Sequence, residues 1–493
     1  MSVAKRIPKL RVFAWGDSKV GPLGGRKIKK YSIDKPLIFD IPNPTVVTAG
    51  WSHNGILSSD GLSYVLGRTH DIKNVFYISR MFRLTCRLLR VWKSIESPTP
   101  RYITFPEDHL PKDDPIISID TSACLTGIVT ESGKAFLYGD NRHGQCGNGE
   151  PCERVWDPSP LVGIREEDRI ESIALGFSHG LAMTRGGAVY AWGKGERGQL
   201  GIKGAQSSEF AKIIPAFDHE RELPKVKELP VETMMRIGGD GGANTMGTQI
   251  SDGNTDYIAA DTLFENLGDN NNGNKNMKSS VIAQRKYAQL QTSNIDHSSF
   301  RLENESFHAI KIKCGLNHSA CVTNKGDLLI WGKYCSSQVD EESSRQNKMQ
   351  DQFVPRKLNL TSKALDVACG QFHTTALTAD GSLWVCGFQT AAIAKRRAMA
   401  NDEEYDELDV LSRFIPQPER VDLENSQIFY TDGEEIVKLE AGWGTNVAVT
   451  NHGYVYEYDW DEPPRRVKGL EDIFVHDIGL GWQHTIVIGE KRK

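Results

Sequence analysis

"GFSHGLAMTRGGAVYAWGKGERGQLG" occupies residues 176–201 and holds Gly193, Gly195 and Gly198 in the spacing G-x-G-x-x-G. That spacing is shared with dinucleotide-binding loops, which follow a strand and open a helix. Here the glycines follow a strand-like run, "AVYAW", but lead into "QLGIKG", which has no helix-forming character. Two further stretches, "GDSKVGPLG" and "GDNRHGQCG", keep the outer glycines and lose the middle one. The glycines therefore read as a turn inside a repeat, not as a phosphate cradle.

The repeat itself is the dominant signal. A small residue, Gly, two residues, often His, an apolar alternation and a Gly-containing turn recur along the chain. The copies are "AGWSHNGILSSDGLSYVLG" (49–67), "LGFSHGLAMTRGGAVYAWG" (175–193), "CGLNHSACVTNKGDLLIWG" (314–332) and "CGQFHTTALTADGSLWVCG" (369–387). Weaker ones are "IDTSACLTGIVTESGKAFLYG" (119–139), "AGWGTNVAVTNHGYVYEYD" (441–459) and the truncated "LGWQHTIVIGEKRK" (480–493), which makes seven. With Gly as marker, they fall at Gly50, Asp120 in place of Gly, Gly176, Gly315, Gly370, Gly442 and Gly481. Each copy contains a β-hairpin whose turn ends in Gly, as in "RGG", "NKG" and "ADG". An apolar face that one copy cannot bury must be covered by the next, so the copies stack. The last copy stops after its first strand-like segment, and the chain begins with "RVFAWGDSKVGPLG", which matches the missing half. The expectation is an all-β, seven-bladed propeller over 11–493, closed by its N-terminal strand so that few sheet edges stay free.

Composition agrees with a globular chain. Hydrophobic residues are 39% and charged residues 25% of 493, with a net charge of −5. That balance argues against a wholesale nucleic-acid coat. No apolar run is long enough for a transmembrane segment, and the N-terminus lacks the core of a secretory signal. The nine cysteines form no C-x-x-C pair. They read as buried free thiols in a reducing compartment, which points to an intracellular protein of cytoplasm or nucleus, with the mitochondrion as alternative.

The copy at 176–201 is similar to a repeat of the regulator of chromosome condensation family. The resemblance covers nearly the whole chain outside its insertions and is most specific at 13–24, 175–201, 314–332 and 369–387. It implies the seven-bladed propeller independently. It also implies protein partners, because the family's founding member is a guanine nucleotide exchange factor for the small GTPase Ran. Other members serve in ubiquitin ligases, light sensing, trafficking and mitochondria, so fold alone does not assign the activity.

Three insertions interrupt the repeats, at 68–116, 205–306 and 388–432. The first holds "NVFYISRMFRLTCRLLRVWKSI" (74–95), in which Arg80, Arg83, Arg87, Arg90 and Lys93 share one helix face, opposite Ile78, Met81, Leu84, Leu88 and Trp92. A basic amphipathic helix is expected. Two roles fit it: a cap over one blade with its Arg heads in water, or a docking element for an acidic partner, RNA or an anionic membrane surface. The second insertion is Gly-, Asn- and Ser-rich and reads as largely disordered. The third carries Lys395–Arg397 followed by six acidic residues within 402–409 and reads as a solvated charged segment.

Two columns of the repeat stand out. Histidines 53, 179, 318, 373 and 484 recur at one position. A recurrent residue suits a recurrent structural task, here a hydrogen bond to the neighbouring blade's backbone. Trp51, Trp443 and Trp482 also share a position, and ring closure makes their blades neighbours. In the family's light-sensing member similar tryptophans are followed by arginines. Here Ser52, Gly444 and Gln483 follow, so the cation–π partners are absent and light sensing is not expected. Those tryptophans and the five basic residues of 74–95 are the partner-binding candidates. No catalytic residue, cofactor or metal site is expected. The leading expectation is a non-catalytic scaffold for protein–protein interaction, with regulation of a small GTPase as one form. The alternatives are a Ran-type exchange factor and an RNA- or ribosome-associated assembly factor resembling the mitochondrial member.

Overall fold

The structure, a computed structural model, describes residues 10–17, 22–23, 30–68, 96–105, 114–150, 152–218, 307–338, 348–389, 413–423, 433–459 and 463–492. These form seven antiparallel sheets, each of four strands or more. Blade 1 is Pro44–Ala49, His53–Ser58, Ser63–Arg68 and Glu96–Tyr102; blade 2 is Ile116–Thr121, Leu125–Thr130, Ala135–Asp140 and Arg154–Pro160. Blade 3 is Ile170–Leu175, His179–Thr184, Val189–Lys194 and Ser207–Ile213; blade 4 is Ala309–Cys314, His318–Thr323, Leu328–Gln338 and Lys348–Lys357. Blade 5 is Ala364–Cys369, His373–Thr378, Leu383–Gln389 and Arg413–Arg420; blade 6 is Ile436–Ala441, Asn446–Thr450, Val455–Tyr458 and Arg465–Arg466. Blade 7 joins Ile473–Leu480 and His484–Lys491 to Arg11–Asp17, which also pairs with Lys30–Tyr31 and Leu37–Phe39. The closing ladder runs antiparallel from Arg11 opposite Gly489 to Gly16 opposite His484. The expected closure by the N-terminal strand is therefore present.

The hairpin read from each repeat is the middle pair of a blade. In the second strands of blades 1 to 6 every residue is buried, as in His179–Thr184. The apolar core is divided among the blade interfaces. Leu181, Val189 and Ala191 of blade 3 pack with Ile312, Leu329 and Trp331 of blade 4. Leu125, Val129 and Leu137 of blade 2 meet Ile173, Tyr190 and Trp192 of blade 3. Val12, Ile486 and Ile488 of blade 7 meet Val47, Ile56 and Leu66 of blade 1. Burial at roughly 25 cal/mol per Å² of apolar surface thus accrues only when neighbours stack.

The second repeat corrects the sequence register. Asp120 is not at the Gly position. Ser122 donates its N–H to Leu125 O (3.0 Å), as Gly50 does to His53 O (2.9 Å) and Gly176 to His179 O (2.9 Å). The marker in this copy is Ser122, two residues along, and Leu125 stands in the histidine column. Asp120 sits within the inner strand, opposite Gly127.

The insertions are narrower than their sequence bounds. Glu96–Tyr102, Ser207–Ile213 and Arg413–Arg420 are outer strands of blades 1, 3 and 5. The 74–95 segment with Arg80, Arg83, Arg87, Arg90 and Lys93 lies outside the described residues, as do 219–306 and 390–412.

Candidate functional site

The seven inner strands finish at one mouth of the central channel. Their ends line a cavity of about 140 Å³ to which every blade contributes. The residue after each marker forms the rim: Trp51, Ala123, Phe177, Leu316, Gln371, Trp443 and Trp482. All but Gln371 are apolar. Trp51 lies 5.1 Å from Trp443, 5.6 Å from Trp482 and 4.9 Å from Phe177 between ring centroids, and Trp443 lies 5.4 Å from Trp482. Offset and edge contacts at these distances are the favoured aromatic geometries. The structure thus brings Trp51, Trp443 and Trp482 together as their shared repeat position requires. It adds Phe177, which stands in the same column and was legible there by alignment of the repeats. The four rings are partly open to solvent, and Phe177 is 38% exposed.

Below the rim the channel wall is charged. The inner strands alternate, so one position presents Thr48, Asp120, Ala174, Lys313, Ala368, Glu440 and Gly479, and the position two residues earlier presents Lys311, Asp366, Lys438 and Asp477 from blades 4 to 7. Lys313 Nζ pairs with Glu440 Oε1 at 2.9 Å, which Lys438 also approaches at 3.5 Å. Lys438 pairs with Asp477, and Lys311 with Asp366. Burial alone would raise the Glu440 carboxyl, but the charges of Lys313 and Lys438 outweigh it and hold the group below its ordinary range, and the Glu440 charge in turn keeps the Lys313 ammonium protonated against its own burial. Three of the acids also stitch blades together. Leu175 N–H donates to Asp120 Oδ2 (2.7 Å), Leu439 N–H to Asp366 Oδ2 (2.9 Å) and Val47 N–H to Asp477 Oδ2 (2.8 Å). Asp120 makes no salt bridge among the described residues, and burial pushes its carboxyl up to about 6 against the opposing field of Lys313.

The histidine column is structural, with a partner different from the one expected. Each Nε2 reaches a side chain of the next blade: His53 to Thr126 Oγ1 (2.8 Å), His179 to Ser319 Oγ (3.0 Å), His318 to Thr374 Oγ1 (3.1 Å), His373 to Asn446 Oδ1 (2.9 Å) and His484 to Asn54 Oδ1 (2.7 Å). The acceptor residue follows the histidine position of the next copy. The backbone there is already engaged in the ladder, which leaves a hydroxyl or amide as the free group. Burial drives the imidazoles of His179, His318 and His484 down to about 3, and that of His373 to about 4. They are neutral at physiological pH.

The Gly-rich turns serve packing. A Cβ on Gly198 would lie 2.4 Å from Gln352 O in the outer strand of blade 4, and one on Gly144 would lie 2.7 Å from Glu209 Cα in blade 3. Each turn docks on the following blade. The eight described cysteines are free thiols, and burial raises those of Cys369 and Cys386 to about 12.

Comparison with known proteins places this geometry among relatives. Two models of the regulator of chromosome condensation (RCC1) repeat match, one at residues 132–183 and 186–228, the other at 170–199 and 365–390. The chain is 25% identical over 395 residues to the ultraviolet-B receptor UVR8 of Arabidopsis thaliana, covering 75% of this chain and 72% of that protein. It is 23% identical over 320 residues to the RCC1-like G exchanging factor-like protein of Mus musculus, covering 58% and 67%. Human WBSCR16 superposes with a TM-score of 0.60 at 15% identity, over 98% of this chain and all of that one. Prp20p of Saccharomyces cerevisiae superposes at 0.56 and 15% identity, over 99% and 93%, and that structure is described with its binding to Gsp1p and histones.

Proposed function

Since the chain belongs to the regulator of chromosome condensation repeat family, we propose that it is a non-catalytic propeller that binds a protein partner at the aromatic channel mouth and regulates a small GTPase. The observation that carries the docking surface is the gathering of Trp51, Phe177, Trp443 and Trp482 at one rim, partly exposed. Aromatic anchors clustered over a cavity are what protein interfaces concentrate their binding energy on. The likeness to a mouse RCC1-like G exchanging factor-like protein, and to Prp20p, which binds Gsp1p, supports the GTPase as partner class. Regulation of a GTPase needs no covalent chemistry. It needs a surface that binds one nucleotide state better than another, since a ligand shifts an equilibrium only by its differential affinity.

The test is release of labelled GDP, together with binding of nucleotide-free protein, across a panel of purified small GTPases. We expect at least one to bind, and the Trp51→Ala/Trp443→Ala variant to bind it about 30-fold more weakly, the loss of one hot-spot's worth of contact. A panel in which no GTPase binds and no release rate changes would overturn the GTPase assignment. Retained affinity in the double variant would remove the rim from the interface.

A further inference from the structure

The charge ledger of the channel leaves one carboxylate over. Among the described channel residues, Lys311 is paired with Asp366, Lys313 with Glu440, and Lys438 with Asp477 and Glu440. Each lysine is committed to an acid other than Asp120. The fourth acid, Asp120, accepts two backbone N–H groups, from Leu175 (2.7 Å) and Thr121 (2.9 Å), and feels the charge of Lys313 but makes no salt bridge among the described residues. It lines the same cavity as Trp51, Phe177, Trp443 and Trp482. A side chain entering that cavity meets indole rings and a carboxylate without a salt-bridge partner together.

We infer that the mouth receives an arginine side chain from the protein partner, its guanidinium against the tryptophan rings and its N–H donors on Asp120. This rests on the mouth being the docking surface proposed above and adds the chemistry of its occupant. Two physical arguments favour the guanidinium. Indole faces attract cations through the ring quadrupole, and the attraction grows when water is excluded. A guanidinium is planar and weakly hydrated, so it stacks on an aromatic face and still forks onto a carboxylate, whereas an ammonium is a compact, strongly hydrated point charge. Each Asp120 oxygen accepts one backbone N–H and keeps a lone pair for a second donor. A phosphate in the same place would face repulsion from Asp120, so nucleic acid does not fit this mouth.

The experiment uses the full chain and a short peptide with one arginine, its citrulline counterpart of the same shape without charge, and its lysine counterpart, followed by tryptophan fluorescence. The arginine peptide is expected to give a saturable change, at millimolar strength or better. Citrulline and lysine peptides are expected to bind about tenfold more weakly. Asp120→Asn should weaken the arginine peptide about tenfold and leave the citrulline peptide unchanged. Absence of a saturable change, equal binding of citrulline, lysine at least as tight as arginine, or an unaltered Asp120→Asn profile would each overturn the inference. The citrulline comparison is made on the native protein, so it stands even where Asp120→Asn folds poorly. Proximity labelling separates this inference from the reading beneath it. Partners lost from Trp51→Ala/Trp443→Ala but kept in Asp120→Asn overturn the arginine and leave the docking surface. Partners unchanged in both overturn both.

Discussion

A glycine that resembles part of a nucleotide loop is fixed here by sterics alone. Gly193 has φ +89°, and a Cβ would lie 2.5 Å from Ser178 O. An L side chain is strained in that conformation by about 1–3 kcal/mol before any clash is counted. Gly193→Ala is therefore expected to destabilise the protein by roughly 2 kcal/mol or more, read as a lower denaturant midpoint at unchanged slope. A neutral substitution would mean that the turn relaxes without cost. The inner strands hold a second kind of fixed residue. Asp366 is buried, accepts N–H groups from Val367 (2.6 Å) and Leu439 (2.9 Å), and pairs with Lys311. Asp366→Ala removes all three at once and leaves a lysine without its counter-ion. We expect a loss of about 3 kcal/mol in chemical denaturation, within the range for breaking a buried pair. Asp366→Asn, which keeps an acceptor, should lose less.

At the scale of the element, sequence and structure agree on the middle of each blade and diverge at its edges. The hairpins were legible because their turns require glycine and both faces are buried, which leaves an apolar run ending in Gly. The outer strands were not. Glu96–Tyr102 carries Pro98 and Pro100, Arg154–Pro160 carries Pro158 and Pro160, and Arg413–Arg420 carries Pro416 and Pro418. Proline reads as a loop residue, yet an edge strand tolerates it because one side of its backbone has no partner to satisfy. The inner strands hide for another reason. Each has a register shift near its start, as between Ile116 and Ser118 or Ala364 and Asp366. The extra residue breaks the two-residue period that would reveal a strand. It also re-aims side chains, and Ile310, Leu365 and Val437 at that position of blades 4, 5 and 6 are 52%, 56% and 57% exposed. The site was half legible. The tryptophan column was visible in the repeats, and Phe177 stood in it. Asp120 was hidden by the register error in the second copy, where no glycine marks the strand end.

For the whole molecule, the seams between blades set how the ring responds to acid. Four of its interfaces carry imidazoles whose folded pKa lies well below the ordinary 6.5: His179, His318 and His484 near 3, and His373 near 4. Between about pH 4 and 6.5 the unfolded chain binds protons at these positions that the folded chain refuses. Stability then rises with pH across that window and falls as the solution is acidified, because the slope follows the excess of protons bound by the unfolded state. Four such groups set a ceiling of about 5 kcal/mol per pH unit on their share of the slope. Asp120 acts with the opposite sign. Its carboxyl is raised to about 6 from 3.8, so it favours the folded state on the acid side and loses that contribution as pH rises through 6. One carboxyl against four imidazoles leaves the ring acid-labile. The measurement is the denaturant midpoint from pH 7.5 down to 4.5, for the native chain and for His179→Gln/His318→Gln. Glutamine keeps a donor for Ser319 and Thr374 but does not titrate. The variant is expected to be weaker at pH 7 and to lose midpoint less steeply on acidification, so that the two curves converge. Parallel curves would show that these histidines protonate without opening the blade interfaces, and would assign the acid sensitivity to the paired carboxylates of the channel instead.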